Sequence, residues 1–137
     1  MYPFENWEKI KNGYKFGQKV SYTNFHLGLD KLIPVGTPLL APSAGIAKFV
    51  TGPQGGSQIY FYPEGTSLVI RFLHLSKQLV SGHVEQGQTL GLSGMTGMAF
   101  NIPHCHIDIY DLSKGAFNLK QHQNFIDPLT FNWFICP

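Results

Sequence analysis

The chain has 137 residues, enough for one domain that buries roughly two-thirds of the surface its unfolded form exposes. Only 13% of the residues are charged and the formal net charge is +2, with no Lys/Arg run, which argues against a surface that tracks nucleic-acid phosphates. No apolar segment reaches the length of a membrane span, and the opening Met1–Asn6 stretch lacks the basic region and apolar run of a signal peptide.

The 15 glycines and 9 prolines predict short strands with many turns. Asn6–Lys11 carries the best helix signal, one or two turns near the N-terminus. The first strand is predicted over Phe25–Leu32. His26 and Asp30 lie an even number of residues apart there, so on extended chain they share a face. Gly28 between them allows backbone and substrate to approach without a Cβ in the way. Further strands are predicted over Gly45–Thr51, Gln58–Tyr62, Ser67–Leu75 and Thr89–Ser93. The fourth is nearly continuous apolar, as a central strand covered on both faces would be. Its penultimate residue is His74, which taken alone reads as a core histidine. Gly94–Gly97 reads as a turn, because no Gly-Lys-Ser/Thr follows to make it a phosphate loop. Met95–Ile102 is expected to line a substrate groove, and the aromatic side chains of Phe72, Phe100 and Trp133 are expected in core or groove wall.

The last predicted strand, Cys105–Tyr110, follows His104 and contains His106. Side chains two apart on a strand point to one face, so these imidazoles stand side by side, a geometry for holding a metal or for shuttling a proton. Cys105 falls on the opposite face, as a buried thiol. Asp108 shares the His106 face, either orienting an imidazole or standing as a solvated charge. Lys114–Gln123 reads as a loop. His83 and His122 belong to no motif and are expected in solvent. Cys105 and Cys136 form no CxxC, and nothing supports pairing them. Imidazoles and a carboxylate are the ligands of a catalytic zinc with one position open to water. The whole predicts an all-β sandwich of antiparallel sheets, a single unit over residues 1–137.

Taken together, the His26/Asp30, His74-Leu75-Ser76 and His104/His106 motifs resemble, in order and spacing, those of the lysostaphin/LytM family of zinc endopeptidases. The likeness runs from about Gly17 to about Leu129. It includes Gly36–Pro42 with Gly45, Val84–Gly91, Gly94–Gly97 and Ile126–Leu129. It implies the family's lysostaphin-like sandwich, the duplicated hybrid motif type. It also implies Zn²⁺ on His26, Asp30 and His106, and catalytic roles for His74 and His104. Which of those two is the base stays open, since no HExxH glutamate is present. The implied reaction is hydrolysis of peptide bonds in bacterial peptidoglycan, by a monomer with no nucleic-acid partner. The implied place is the cell wall, extracellular or periplasmic; with no signal peptide visible, the chain is either an excised mature domain or exported by another route such as a phage lysis system or virion. The Met98–Pro103 segment departs from the family's more usual Ser/Thr-Gly-rich stretch, which bears on specificity. Two other readings carry weight. One is a zinc-binding module that recognises wall or partner without cutting. The other is a sugar-phosphotransferase IIA-type phosphocarrier, one of whose two active-site histidines is followed by a Phe-Gly-Ile-Asp run that His26–Asp30 also resembles.

Overall fold

The structure is a computed structural model that describes residues 1–20 and 25–135. Turn-forming Gly and Pro divide the chain into short strands. These are β1 (Leu29–Lys31), β2 (Pro38–Leu40), β3 (Gly45–Gly52), β4 (Gly56–Pro63), β5 (Leu68–Leu75), β6 (Lys77–Gln78), β7 (Gly82–Val84), β8 (Thr89–Leu92), β9 (Cys105–Asp111) and β10 (Phe125–Ile126). The six predicted strands correspond to β1, β3, β4, β5, β8 and β9, with β1 much shorter than expected. The helix predicted over Asn6–Lys11 shrinks to a single 3₁₀ turn, Trp7–Lys9. Left-handed Asn6 (φ 58°) and extended Ile10 bound it. Trp7 is drawn into the core, where it meets Trp133 at 5.3 Å between ring centroids.

Among the described residues the strands form two antiparallel sheets. The larger runs β1-β9-β5-β4-β3-β7, with β10 lying beyond β1 on the same edge of β9. The smaller runs β2-β8-β6. The core fills the space between them. Leu39 and Leu90 come from the small sheet, and Ile59, Phe61, Ile70, Phe72, Ile107 and Ile109 from the large one. All eight are fully buried, and each large side chain withdrawn from water contributes about 1.5–3 kcal/mol. As predicted, β5 is central: its neighbours are β4 and β9.

Alternation on β9 sorts its two faces. Cys105, Ile107 and Ile109 point into the core. His106, Asp108 and Tyr110 therefore point to the outer face, where Tyr110 joins Val69 and Phe125 in a second apolar cluster. Cys105 thus packs as the expected buried thiol, and burial raises its pKa far above the ordinary value. It is a free cysteine; Cys136 lies outside the described residues.

The β4–β5 register contains a bulge. Ile59 pairs with Phe72 and Ser57 with Leu75, so Leu73 and His74 together oppose Gln58. Phe72 and Leu75 consequently both reach the core although they are three apart. His74 takes up the turn in the left-handed region, at φ 65°. Strict alternation would have put it beside Phe72; the bulge delivers it to the outer face.

Candidate active site

The site lies on the outer face of the large sheet, where β1 pairs with β9. The register sets Asp30 directly opposite His106. His106 Nδ1 lies 3.0 Å from Asp30 Oδ1, and His26 Nε2 lies 3.4 Å from the same oxygen. His104 Nε2 stands 3.9 Å from Oδ2. His74 completes the cluster, with its ring centroid 4.8 Å from that of His104. The structure therefore brings His26, Asp30, His74, His104 and His106 together. His83 lies apart, exposed, 3.8 Å from Glu85. His122 is exposed as expected but stacks on Phe25 at 4.8 Å.

Backbone carbonyls fix the histidine tautomers. A carbonyl oxygen only accepts, so the ring nitrogen facing it carries the proton. His26 Nδ1 donates to Lys15 O (3.2 Å), His74 Nδ1 to Thr96 O (2.8 Å) and His104 Nδ1 to Ile102 O (2.8 Å). Each of these rings in its neutral form turns a bare Nε2 into the site. Thr96 is itself tied to the bulge. Its Oγ1 donates to Leu75 O at 2.6 Å and accepts from Ser57 N at 3.0 Å. Gly97 must follow it, because a Cβ there would stand 2.4 Å from Gly56 N, at φ 71°. The turn read from Gly94–Gly97 is thus also the support of His74.

His106 is held differently. Its Nε2 lies 2.9 Å from Asp108 Oδ2. Asp108 is fully buried, so of its two sequence readings the solvated charge is incorrect and the orienting contact is what the structure shows. Arg71, its cross-strand partner on β5, explains why a carboxylate survives there. Nε donates to Oδ1 at 2.8 Å and Nη2 to Oδ2 at 2.6 Å. The sequence reading passed over Arg71 as part of an apolar run. A cation interrupting a buried strand was the available signal, since such a group demands a buried anion.

Gly28 is also reassigned in part. A Cβ on it would lie 2.1 Å from Ile107 O and 2.9 Å from both Asp108 Cβ and His106 Nε2. The missing side chain makes room for β9 and not for substrate.

The electrostatics follow from these contacts. Burial would raise the Asp30 pKa, but the His106 and His26 imidazoles against its carboxylate outweigh it and hold the carboxylate well below its usual range. Burial would lower that of His106, yet the hydrogen bonds to Asp108 and Asp30 raise it to about 9. His74 has no such carboxylate, and burial takes it down to about 4.

His26, Asp30 and His106 offer ligand atoms that all lie within 4.8 Å of one another. Two donors on a tetrahedral zinc at ~2.0–2.1 Å stand about 3.3 Å apart. The 3.0 and 3.4 Å separations from Asp30 Oδ1 match that spacing. The donor set therefore fits zinc. An apolar wall borders the cluster, built by Tyr14, Met98, Ala99, Phe100 and Ile102. Phe100 is 60% exposed and stands in the groove wall, whereas Phe72 and Trp133 are core.

The sequence model described as Peptidase family M23 matches residues 24–125. The Vibrio cholerae peptidoglycan DD-endopeptidase ShyA is 36% identical over 87 residues, covering 61% of this chain and 20% of that protein. Lysostaphin of Staphylococcus simulans is 33% identical over 102 residues, covering 70% of this chain and 20% of its own length. The chain thus spans about a fifth of these curated relatives. Among solved structures, the catalytic domain of the antimicrobial peptidase lysostaphin from Staphylococcus simulans superposes with a TM-score of 0.75 at 29% identity, covering 89% of this chain and 91% of that one. These matches are to peptidases, not to the phosphocarriers.

Proposed function

The chain belongs to peptidase family M23, and from that premise we propose that it is a zinc-dependent endopeptidase that cuts peptide bonds in bacterial peptidoglycan. The observation that carries the reading is the spacing of three donor atoms around Asp30, with two further histidines turning Nε2 toward them. The names of ShyA and lysostaphin point the same way for substrate. The low net charge of +2 does not oppose approach to an anionic wall.

His26 Nε2, Asp30 Oδ1 and His106 Nδ1 would hold the ion. Bound there, zinc supplies a Lewis acid that acidifies water and polarises a peptide carbonyl. His74 and His104 handle the proton. Each ring is locked by a backbone carbonyl at Nδ1, so Nε2 is its one free basic position. One of the two takes the proton released by the attacking water. The ring that has taken it, now an N–H donor at Nε2, faces the developing oxyanion and then returns the proton to the departing amine. Mere zinc binding would need neither, which favours cleavage over a recognition module.

All five side chains come from one chain, so a monomer with a single catalytic unit over residues 1–137 suffices. The place of action is the cell wall, outside the cytoplasm. Purified sacculi of differing cross-bridge chemistry test the proposal. Soluble peptide-bearing fragments should appear, stop with a chelator and resume when zinc is restored. Intact sacculi under all of these conditions, with zinc bound at one per chain, would leave the recognition module instead.

A further inference from the structure

We propose that Asp108, locked by Arg71, is a positioning residue that presents Nδ1 of His106, and not Nε2, to the metal position beside Asp30. The inference rests on the zinc site proposed above and adds the device that makes His106 a ligand.

Three histidines of the cluster share one orientation: Nδ1 donates to a main-chain carbonyl and Nε2 faces the site. His106 is reversed. Its Nδ1 faces Asp30 and its Nε2 faces away, toward Asp108. A ligating nitrogen must be bare, so the ring proton has to sit on Nε2, and that proton needs an acceptor. Residues on the outer face of β9 and β5 supply it. Asp108 Oδ2 accepts at 2.9 Å.

The acceptor cannot swing away. Arg71 grips both carboxylate oxygens, at 2.8 and 2.6 Å. Arg71 is fixed in turn by Tyr60, whose hydroxyl accepts from Nη1 at 3.3 Å, and by Phe117, whose ring centre lies 4.8 Å from the guanidinium carbon. Gly28 closes the other side, too tightly packed on His106 and Asp108 to admit a methyl group. The guanidinium also balances the buried carboxylate charge, so Asp108 stays an acceptor without drawing a second cation. A purely structural ion pair would need neither the contact with Nε2 nor the shared Oδ2.

The test reads zinc and the ring directly. In the zinc-loaded wild type, a long-range ¹H–¹⁵N correlation spectrum should show His106 with its proton on Nε2 and Nδ1 shifted as a metal ligand. His106 bound through Nε2, or carrying its proton on Nδ1, would overturn the proposal with no variant needed. Competition with a chromogenic chelator should show zinc affinity falling on the order of 10–100-fold in Asp108→Asn, in the range of lost outer-shell partners. Arg71→Met should fall in the same direction, with zinc stoichiometry restored at saturation in both. Folded variants that keep wild-type affinity and the wild-type His106 pattern would reduce Arg71–Asp108 to a structural pair. Failure of the zinc reading looks different: the wild type would bind no stoichiometric zinc, or His106→Ala would bind it as tightly as the wild type.

Discussion

Single residues in this cluster divide by what their nitrogens face. His106→Ala removes a donor 3.0 Å from Asp30, and metal analysis should show zinc falling well below one per chain. His74→Ala and His104→Ala remove Nε2 groups outside the donor set. Both should keep zinc and lose on the order of 10²-fold or more in turnover, the usual size of a lost general acid or base. Near-normal rates on a validated substrate in both variants would refute those roles. His74 also sets a pH dependence. Its pKa is lowered to about 4 by burial, with His104 and His106 adding to the shift and the Thr96 carbonyl and Asp30 opposing it. The unfolded residue titrates near its ordinary 6.5. Between these values the unfolded chain binds more protons, so this contribution to stability is whole above about pH 6.5 and shrinks as pH falls toward 4. Denaturant unfolding of the zinc-free protein should show a shallower acid slope in His74→Gln than in wild type.

Elements position these residues through pairing and packing, and here the limits of sequence reading become physical. Period-two alternation placed Cys105 away from His104 and His106, and β9 behaves so. Cys105→Ala should therefore cost about 1 kcal/mol and leave zinc content intact in the folded fraction. Alternation alone would misplace His74, because a bulge depends on a two-against-one register with another strand. It also missed Arg71, whose meaning lies in its cross-strand partner Asp108. The six stronger strands were legible. β2, β6, β7 and β10 were not, since two or three residues carry no period; β1, equally short, was found only inside the longer run Phe25–Leu32. Main-chain carbonyls that orient imidazoles leave no mark in a sequence, because every residue has one. Gly28 tests the β1–β9 junction. Gly28→Ala forces a Cβ to within 2.1 Å of Ile107 O, and should cost about 1–3 kcal/mol while weakening zinc binding. A wild-type melting temperature with wild-type zinc affinity would contradict that packing.

Across the whole molecule, the proposed ligand set joins two distant parts of the chain: His26 and Asp30, four residues apart at β1, and His106 on β9. An ion held there couples those parts, and one that binds only the folded chain adds stability. At a hundredfold excess over its dissociation constant the gain is about 2.7 kcal/mol. Chelation should then lower the melting temperature by on the order of 10 °C for a chain of this size. An unchanged melting curve would speak against a site formed only in the folded state.

The carbonyls of Lys15, Thr96 and Ile102 have one more consequence. A main-chain oxygen survives any side-chain replacement that keeps the local backbone path. The same loop that aims His104 also carries Met98, Phe100 and Ile102 into the groove wall. Its side chains can therefore be rewritten, in evolution or in the laboratory, while the imidazole stays aimed. On the proposed reading, choice of bond and act of cleavage are separable: the first rests on replaceable side chains, and the aim of the cleaving imidazole on the backbone beneath them.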